Sequence, residues 1–336
     1  MKTETIRRLC DPELLEIRRQ HFRRLEMVFN GQSEIPFILL GRGCNGQSDI
    51  FNQPQAWVDE ALEDAAVNAG QIRDERVFRP VSVNPWIYGV HFVDKLLGAR
   101  VFDLDGTGNW QAAPLASKVG TLAEPAIERD AAWVLARRIA EAFLEASVSV
   151  PLFAPPVLSS PFNIAMNLYG QEFLVALLED PSAARRDLRV ITDLILMLHR
   201  WFIAAIPFEQ LQMIETRGRI QPPGHGQICG CSCQLLPPDL YREFIAPCDG
   251  EILALYPGGG MIHLCGVHAQ HLPAWRELPS LRAVQLNDRA ALDLPAYFSE
   301  LRKDQIVYVN PSQEMPPERI AEITGGRRVV MVCDSR

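Results

Sequence analysis

Residues 258–268 read GGGMIHLCGVH. Three glycines precede a short apolar run in which a histidine and a cysteine stand two apart. A run of this length bounded by glycines reads as a buried strand. Three more such runs follow: LRAVQLN (281–287), QIVYVN (305–310) and RVVMVC (328–333). Between them lie HAQHLPAWREL, LPAYFSELRK and PPERIAEIT, all of helix-forming composition. Strands separated by helical segments predict parallel βαβ units.

The same alternation extends upstream. IPFILLGR (35–42), VPLFAPP (150–156) and QLQMIET (210–216) read as strands. Residues 55–70 and 131–147 read as helices, and 171–202 as two helices broken at Asp180-Pro181. The first thirty residues place Leu14, Leu15, Ile17, Phe22, Leu25 and Phe29 at helical spacing. No GxGxxG follows the first strand, which argues against an open dinucleotide-binding sheet. We therefore expect a single α/β domain over residues 1–336, a (β/α)8 TIM-type barrel with residues 1–34 as an N-terminal helical extension. RVVMVC ends three residues before the last residue, so the last outer helix is expected to be missing or its flank covered by the N-terminal helices.

The net charge of −8 argues against a nucleic-acid partner, which would need a basic face. The one dense basic run, RRQHFRR (18–24), reads as the wet side of an amphipathic helix. The N-terminus has no apolar signal region, and the apolar segment 194–208 is short and interrupted by His199 and Arg200. The expectation is a cytoplasmic protein without a membrane partner. Its eight cysteines then call for metal binding, reactivity or simple burial rather than disulfides.

Side chains two apart in a strand share a face. His263 and Cys265 therefore point the same way as Met261, at the carboxyl end of their strand, where parallel barrels build active sites. The alternation Val329, Met331, Cys333 brings a second cysteine to the same end of the last strand. One imidazole and two thiolates, from His263, Cys265 and Cys333, suit Zn²⁺ with a fourth position left for substrate. The plainer alternative is a satisfied core histidine beside buried thiols.

Longer motifs carry a family resemblance. LLPPDLYREFIAPCDGEIL (235–253), SPFNIAMNLYGQEFLVALLEDP (160–181), residues 259–288 and YVNPSQEMPPERIAEI (308–323) resemble segments of the uroporphyrinogen decarboxylase superfamily, across roughly residues 75 to 333. The resemblance implies a (β/α)8 barrel. True decarboxylases of that family carry an Arg-rich R-Q-A-G-R motif and an Asp after the second strand. Here LLGRGCNGQ (39–47) keeps only Arg42, and VNPWIYGVH (83–91) lacks the Asp. The HLC and MVC segments are instead similar to the zinc methyltransferases of the methylcobalamin:coenzyme M type, which places the metal on His263, Cys265 and Cys333. That style implies a zinc-dependent methyltransferase moving a methyl group between a corrinoid (cobalamin), carried on a partner protein, and a small thiol, ether or amine. No D-x-H-x-x-G cobalamin motif occurs in the chain itself. The alternatives are a metal-free decarboxylase and a non-catalytic barrel that binds a corrinoid or its carrier.

Several residues stand beside this reading. Asn287 and Asn310 end their strands on the inward face and suit substrate hydrogen bonds or loop backbone groups. Trp86 and Tyr88 suit an apolar substrate-binding wall or ordinary loop packing. Cys229, Cys231 and Cys233 in ICGCSC share a face if extended, and offer a fourth ligand, a rival metal site or a packed loop. His225 reads as a loop residue, and His268 and His271 as surface residues of the following helix.

Overall fold

The computed structural model describes residues 3–213 and 219–333. A seven-stranded parallel sheet dominates it. Its order starts at β3 (Val77–Phe78) and β1 (Phe37–Leu39) and then runs backward along the chain. It passes through β12 (Val329–Val332), β11 (Ile306–Val309) and β10 (Leu281–Leu286) to β9 (Gly260–Leu264) and β8 (Gly226–Cys229). A three-stranded parallel sheet joins β2 (Arg42–Cys44), β4 (Val81–Val83) and β7 (Leu152–Phe153). The two sheets are one curved surface. β1 continues into β2 and β3 into β4, and Leu40 and Arg42 donate to the carbonyls of Phe78 and Pro80, both at 2.9 Å, across the breaks.

The arc ends at β7 on one side and β8 on the other, and no continuous ladder closes it among the described residues. Leu211 bridges to Phe153 in parallel, so QLQMIET contributes one bridge; its residues 214–216 lie outside the described residues. Beyond it, side chains take over. The Gln212 amide accepts from the Gln221 N–H at 3.1 Å and donates to the Gln221 carbonyl at 3.0 Å, and Gln221 donates to the Gly226 carbonyl at 2.8 Å. At the carboxyl end, Ser160 N–H donates to the Cys229 carbonyl at 2.9 Å. This is a TIM-type α/β barrel whose seam is laced by glutamine side chains.

The interior is apolar at the amino ends of the strands. Phe37, Phe78, Met261, Ile306, Tyr308 and Val330 form one cluster with residues of the N-terminal helix Pro12–Phe29. That helix is started by Asp11, whose carboxylate accepts from the Glu13 N–H, with Pro12 at its first position. Phe22, Leu25, Val28 and Phe29 plug the barrel floor. The run 18–24 is therefore not simply a wet face. Arg18 is buried and donates to the carbonyls of Ser149 and Val150 at 2.8 and 2.7 Å, while His21 stacks on Phe78 at 4.8 Å. His225 also packs here, edge-on to Phe29 at 5.0 Å, far from the strands' carboxyl ends.

The triple glycine is explained by close backbone approach. Gly259 has φ +70°, and a Cβ there would sit 2.4 Å from the Ser280 carbonyl oxygen; one on Gly260 would sit 2.5 Å from that of Gly226. Only glycine lets β8, β9 and β10 enter the sheet this tightly. One element has no counterpart in the sequence reading: the antiparallel hairpin of β5 (Arg100–Asp103) and β6 (Trp110–Ala113), turned through Asp103–Gly108. Among the described residues no helix follows β12, and no helix is long and apolar enough to cross a membrane.

The helix layer is tied together by a buried carboxylate. Asp249 accepts from Ser160 Oγ at 2.7 Å and Tyr241 OH at 2.9 Å, and Trp275 Nε1 donates to the same phenol at 2.8 Å. Burial outweighs the two hydrogen bonds and pushes Asp249 up to about 7. A carboxyl whose folded pKa is raised favours folding fully below its unfolded pKa and loses that contribution as pH rises through the folded value. The window here runs from roughly pH 4 to 7. Asp249→Asn is expected to remove it. In urea titrations, the stability of the parent relative to this variant should fall by on the order of 1.4 kcal/mol per pH unit across that window. Parallel curves would refute the assignment.

Candidate metal centre

Cys229 is the last residue of β8 and pairs in register with His263 on β9. Met261 lies in the interior cluster, so His263, two residues on, faces the interior too, as the alternation predicts. After Cys229 the chain turns. Gly230 N–H donates to the His263 carbonyl at 2.9 Å, and a 3₁₀ turn, Cys231–Leu235, begins. The turn folds Cys231 back so that its sulfur lies 3.5 Å from that of Cys229. Donor atoms of Cys229, Cys231 and His263 all fall within 4.8 Å of one another. Cys265 stands beside them, its sulfur 3.1 Å from His263 Nε2.

The surroundings fix the imidazole. His263 Nδ1 bonds the Gln285 side-chain oxygen, on its register partner in β10, and Gln285 in turn donates to Asn310 Oδ1. Nδ1 thus carries a proton, and Nε2 is the ring atom turned toward the sulfurs. Asn163 Nδ2 donates to the Cys229 sulfur at 3.6 Å and Asn287 Nδ2 to that of Cys265 at 3.8 Å. His268 sits between the carbonyls of Gly266 and Cys231, at 2.9 and 3.1 Å, and His271 Nε2 meets the Cys233 carbonyl at 2.8 Å.

Electrostatically the cluster divides its protons unequally among three thiols and an imidazole. Cys231 keeps its proton, its pKa raised by hydrogen bonding to Cys229 and Cys265. Those same bonds bring Cys265 down to about 4 and Cys229 down to about 6, against the opposing effect of burial. Burial and the Arg219 charge depress His263, but its bond to Cys265 and the nearby thiolates outweigh them and raise it. Two thiolates and an oriented imidazole are the donor set of a zinc site, with a bound cation replacing the shared proton.

The sequence-predicted residues fare unevenly. His263 and Cys265 come together. Cys333 follows β12, where its N–H donates to the Leu39 carbonyl at 2.9 Å, and it is not in the gathered group. The register of β12 is one residue from the expected one. Val330 and Val332 line the interior, while Val329 and Met331 pack with the outer core. Asn287 and Asn310 are both tied into the cluster's surroundings. Trp86 and Tyr88 lie in the loop after β4, where Tyr88 packs on Phe51 and Trp110 at centroid distances of 5.3 and 5.1 Å. Cys233 is buried apart, because the 3₁₀ turn breaks the alternation of ICGCSC. His268 and His271 are fully buried rather than on the surface. Cys229 and Cys231, lesser candidates in the sequence, are the cysteines that the structure groups with His263; the available signal was that one closes the strand beside the H-x-C strand.

No known family profile matches the chain, and no curated protein sequence matches it. The fold is similar to the solved structure of a methyltransferase from Methanosarcina mazei. The TM-score is 0.63 at 12% identity, over 93% of this chain and 92% of the other.

Zinc content gives the check. Cys231→Ser and His263→Ala are expected to bind well under one zinc per chain by elemental analysis, and Cys233→Ser to match the parent. Gln285→Leu should keep the ligands but weaken zinc affinity by about 10- to 100-fold in a chelator competition. Unchanged affinity would show that the imidazole is oriented without Gln285.

Proposed function

We propose that the protein is a zinc-dependent methyltransferase that moves a methyl group between a corrinoid, presented by a partner protein, and a small thiol, ether or amine. The observation that carries this reading is the convergence of two cysteines and an oriented histidine at the carboxyl end of a parallel barrel. Likeness in fold to a methyltransferase supports it. Zinc bound there supplies Lewis acidity to the substrate heteroatom. His263 presents Nε2, Gln285 and Asn310 hold its tautomer, and Asn163 and Asn287 orient the sulfurs. Tyr88 and Trp86, with Phe51 and Trp110, supply an apolar wall near the mouth.

His263 is common to two ligand sets. One adds Cys229 and Cys231, which the geometry groups; the other adds Cys265 and Cys333, as the family resemblance implies. We favour the first, with Cys265 as a further sulfur at 3.1 Å from Nε2. Zinc retained at one per chain in Cys333→Ala but lost in Cys229→Ser would decide for it; the reverse pattern would decide for the second.

The decarboxylase alternative has little support. Arg42, the one residue kept from the Arg-rich motif, is ion-paired with Asp64 at 3.1 Å. The activity test follows the cobalt spectrum. Cob(I)alamin mixed with methyl ethers or amines, or methylcobalamin mixed with thiols, should change absorbance with the parent protein. His263→Ala should lose activity by about 100-fold or more. A parent inactive in both directions over a broad substrate panel, or coproporphyrinogen formed from uroporphyrinogen, would overturn the proposal.

A further inference from the structure

A second polar constellation lies at the same end of the barrel, outside the sulfur cluster. His91 Nδ1 is 2.6 Å from Asp94 Oδ2, and Asn167 Nδ2 donates to that same oxygen at 2.9 Å. Asp94 is fully buried, and its Oδ1 has no hydrogen-bond partner. Burial raises the Asp94 pKa, against the bonds from His91 and Asn167. Among the described residues no hydrogen bond engages His91 Nε2, and the ring is partly exposed.

This arrangement is costly for a structural role. Burying a carboxylate with one oxygen unsatisfied costs stability that an apolar pair of the same shape would not. What it provides is a defined tautomer: Nδ1–H held by the carboxylate, Nε2 left without a hydrogen bond among the described residues. Its location ties it to the cluster. Helix Pro161–Tyr169 touches both, Asn163 at the Cys229 sulfur and Asn167 at Asp94. Those asparagines are one helical turn apart, about 5–6 Å between Cβ atoms. His91 also ends the short turn Gly89–His91 that follows Tyr88, and a Cβ on Gly89 would lie 3.2 Å from the Trp110 ring and 3.3 Å from Trp86 Nε1. The dyad therefore shares one helix with the sulfur cluster and one turn with the aromatic residues.

We propose that His91 is the general acid–base of this site, exchanging a proton through Nε2 with the substrate heteroatom that loses or gains the methyl group. The inference rests on the methyl-transfer reading. In demethylation the bond from carbon to the heteroatom breaks and its electron pair stays on the heteroatom. The proton on Nε2 passes to that atom, and the methyl carbon bonds to the nucleophilic acceptor, cobalt(I) of the corrinoid. The imidazole left neutral recovers a proton from water. In the reverse direction a heteroatom–H gives its proton to Nε2 as the new bond to carbon forms. Asp94 accepts from Nδ1 and fixes the orientation of the ring throughout. It is a positioning residue.

The test uses the full chain with cob(I)alamin and methyl ethers graded from a nitrophenol leaving group to simple alcohols. His91→Gln keeps a donor for Asp94 but cannot carry the proton. It should slow the ethers of simple alcohols by on the order of 100-fold or more while the nitrophenol ether changes little. Asp94→Asn should show the same trend more weakly, and added imidazole should restore part of the rate in His91→Ala. Thermal melts and zinc content matching the parent exclude misfolding, with Asp94→Asn replacing His91→Gln should the latter not fold. An equal loss across the series, or none, overturns the proton role and leaves the methyltransferase reading standing. A parent that demethylates nothing in the panel, with zinc bound, overturns both.

Discussion

The parallel pairing of β8 with β9 is the constraint on which the centre depends. It sets Cys229 directly across from His263, and a slip of one residue would send one of them out of the interior. The register is held where the strands begin. Gly226 and Gly260 approach so closely that a Cβ on Gly260 would strike the Gly226 carbonyl, and a Cβ on Gly226 would sit 2.3 Å from the Tyr256 ring. The glycines at one end of the strands thus place Cys229 and His263 at the other, with Ile228 and Ile262 packed outward between them.

From that register the rest of the centre follows by neighbour relations. β10 pairs with β9 so that Gln285 faces His263, and β11 carries the chain on to Asn310. The result is a polar row across three strands, imidazole to amide to amide, in which each group fixes the next. The thiols meet a different need. Three sulfurs beside one imidazole cannot all be ionised in a buried place, so one proton remains on Cys231, and Cys229 and Cys265 become the thiolates. The turn that sets Cys231 there is itself fastened from outside the barrel by His268 and His271, each bonded to a carbonyl of that turn.

What could be read in the sequence depended on alternation. Met261, His263, Ala283, Gln285, Ile306 and Tyr308 alternate with outward apolar residues, and the reading of β9, β10 and β11 follows directly from that pattern. In RVVMVC every candidate position is apolar, so a strand buried on both faces offers no contrast, and the expected register was one residue out. Arg328, just before that strand, has φ 51°, a backbone setting that the residue type does not announce. The histidines misread as surface residues bond to carbonyls more than thirty residues away in sequence, which helical spacing alone cannot reveal. Cys231 was legible as one candidate ligand in ICGCSC, but its grouping with Cys229 and His263 was not, because only the turn after Cys229 brings its sulfur back.

The asparagines of helix Pro161–Tyr169 show how the barrel couples its two polar groups without merging them. Asn163 spans from the Ser232 N–H, at 2.9 Å from its Oδ1, to the Cys229 sulfur, so it secures the turn and the Cys229 thiol together. Asn167, one turn on, secures Asp94. A rigid helix holds the distance between them, because the backbone hydrogen bonds that define a turn leave no soft torsion along its length. The helix is itself fixed at its first turn, where Ser160 bonds both the Cys229 carbonyl and buried Asp249. Any shift of the helix would therefore move the sulfur contact and the His91–Asp94 pair in step, so the two polar groups keep a fixed spacing along one helix.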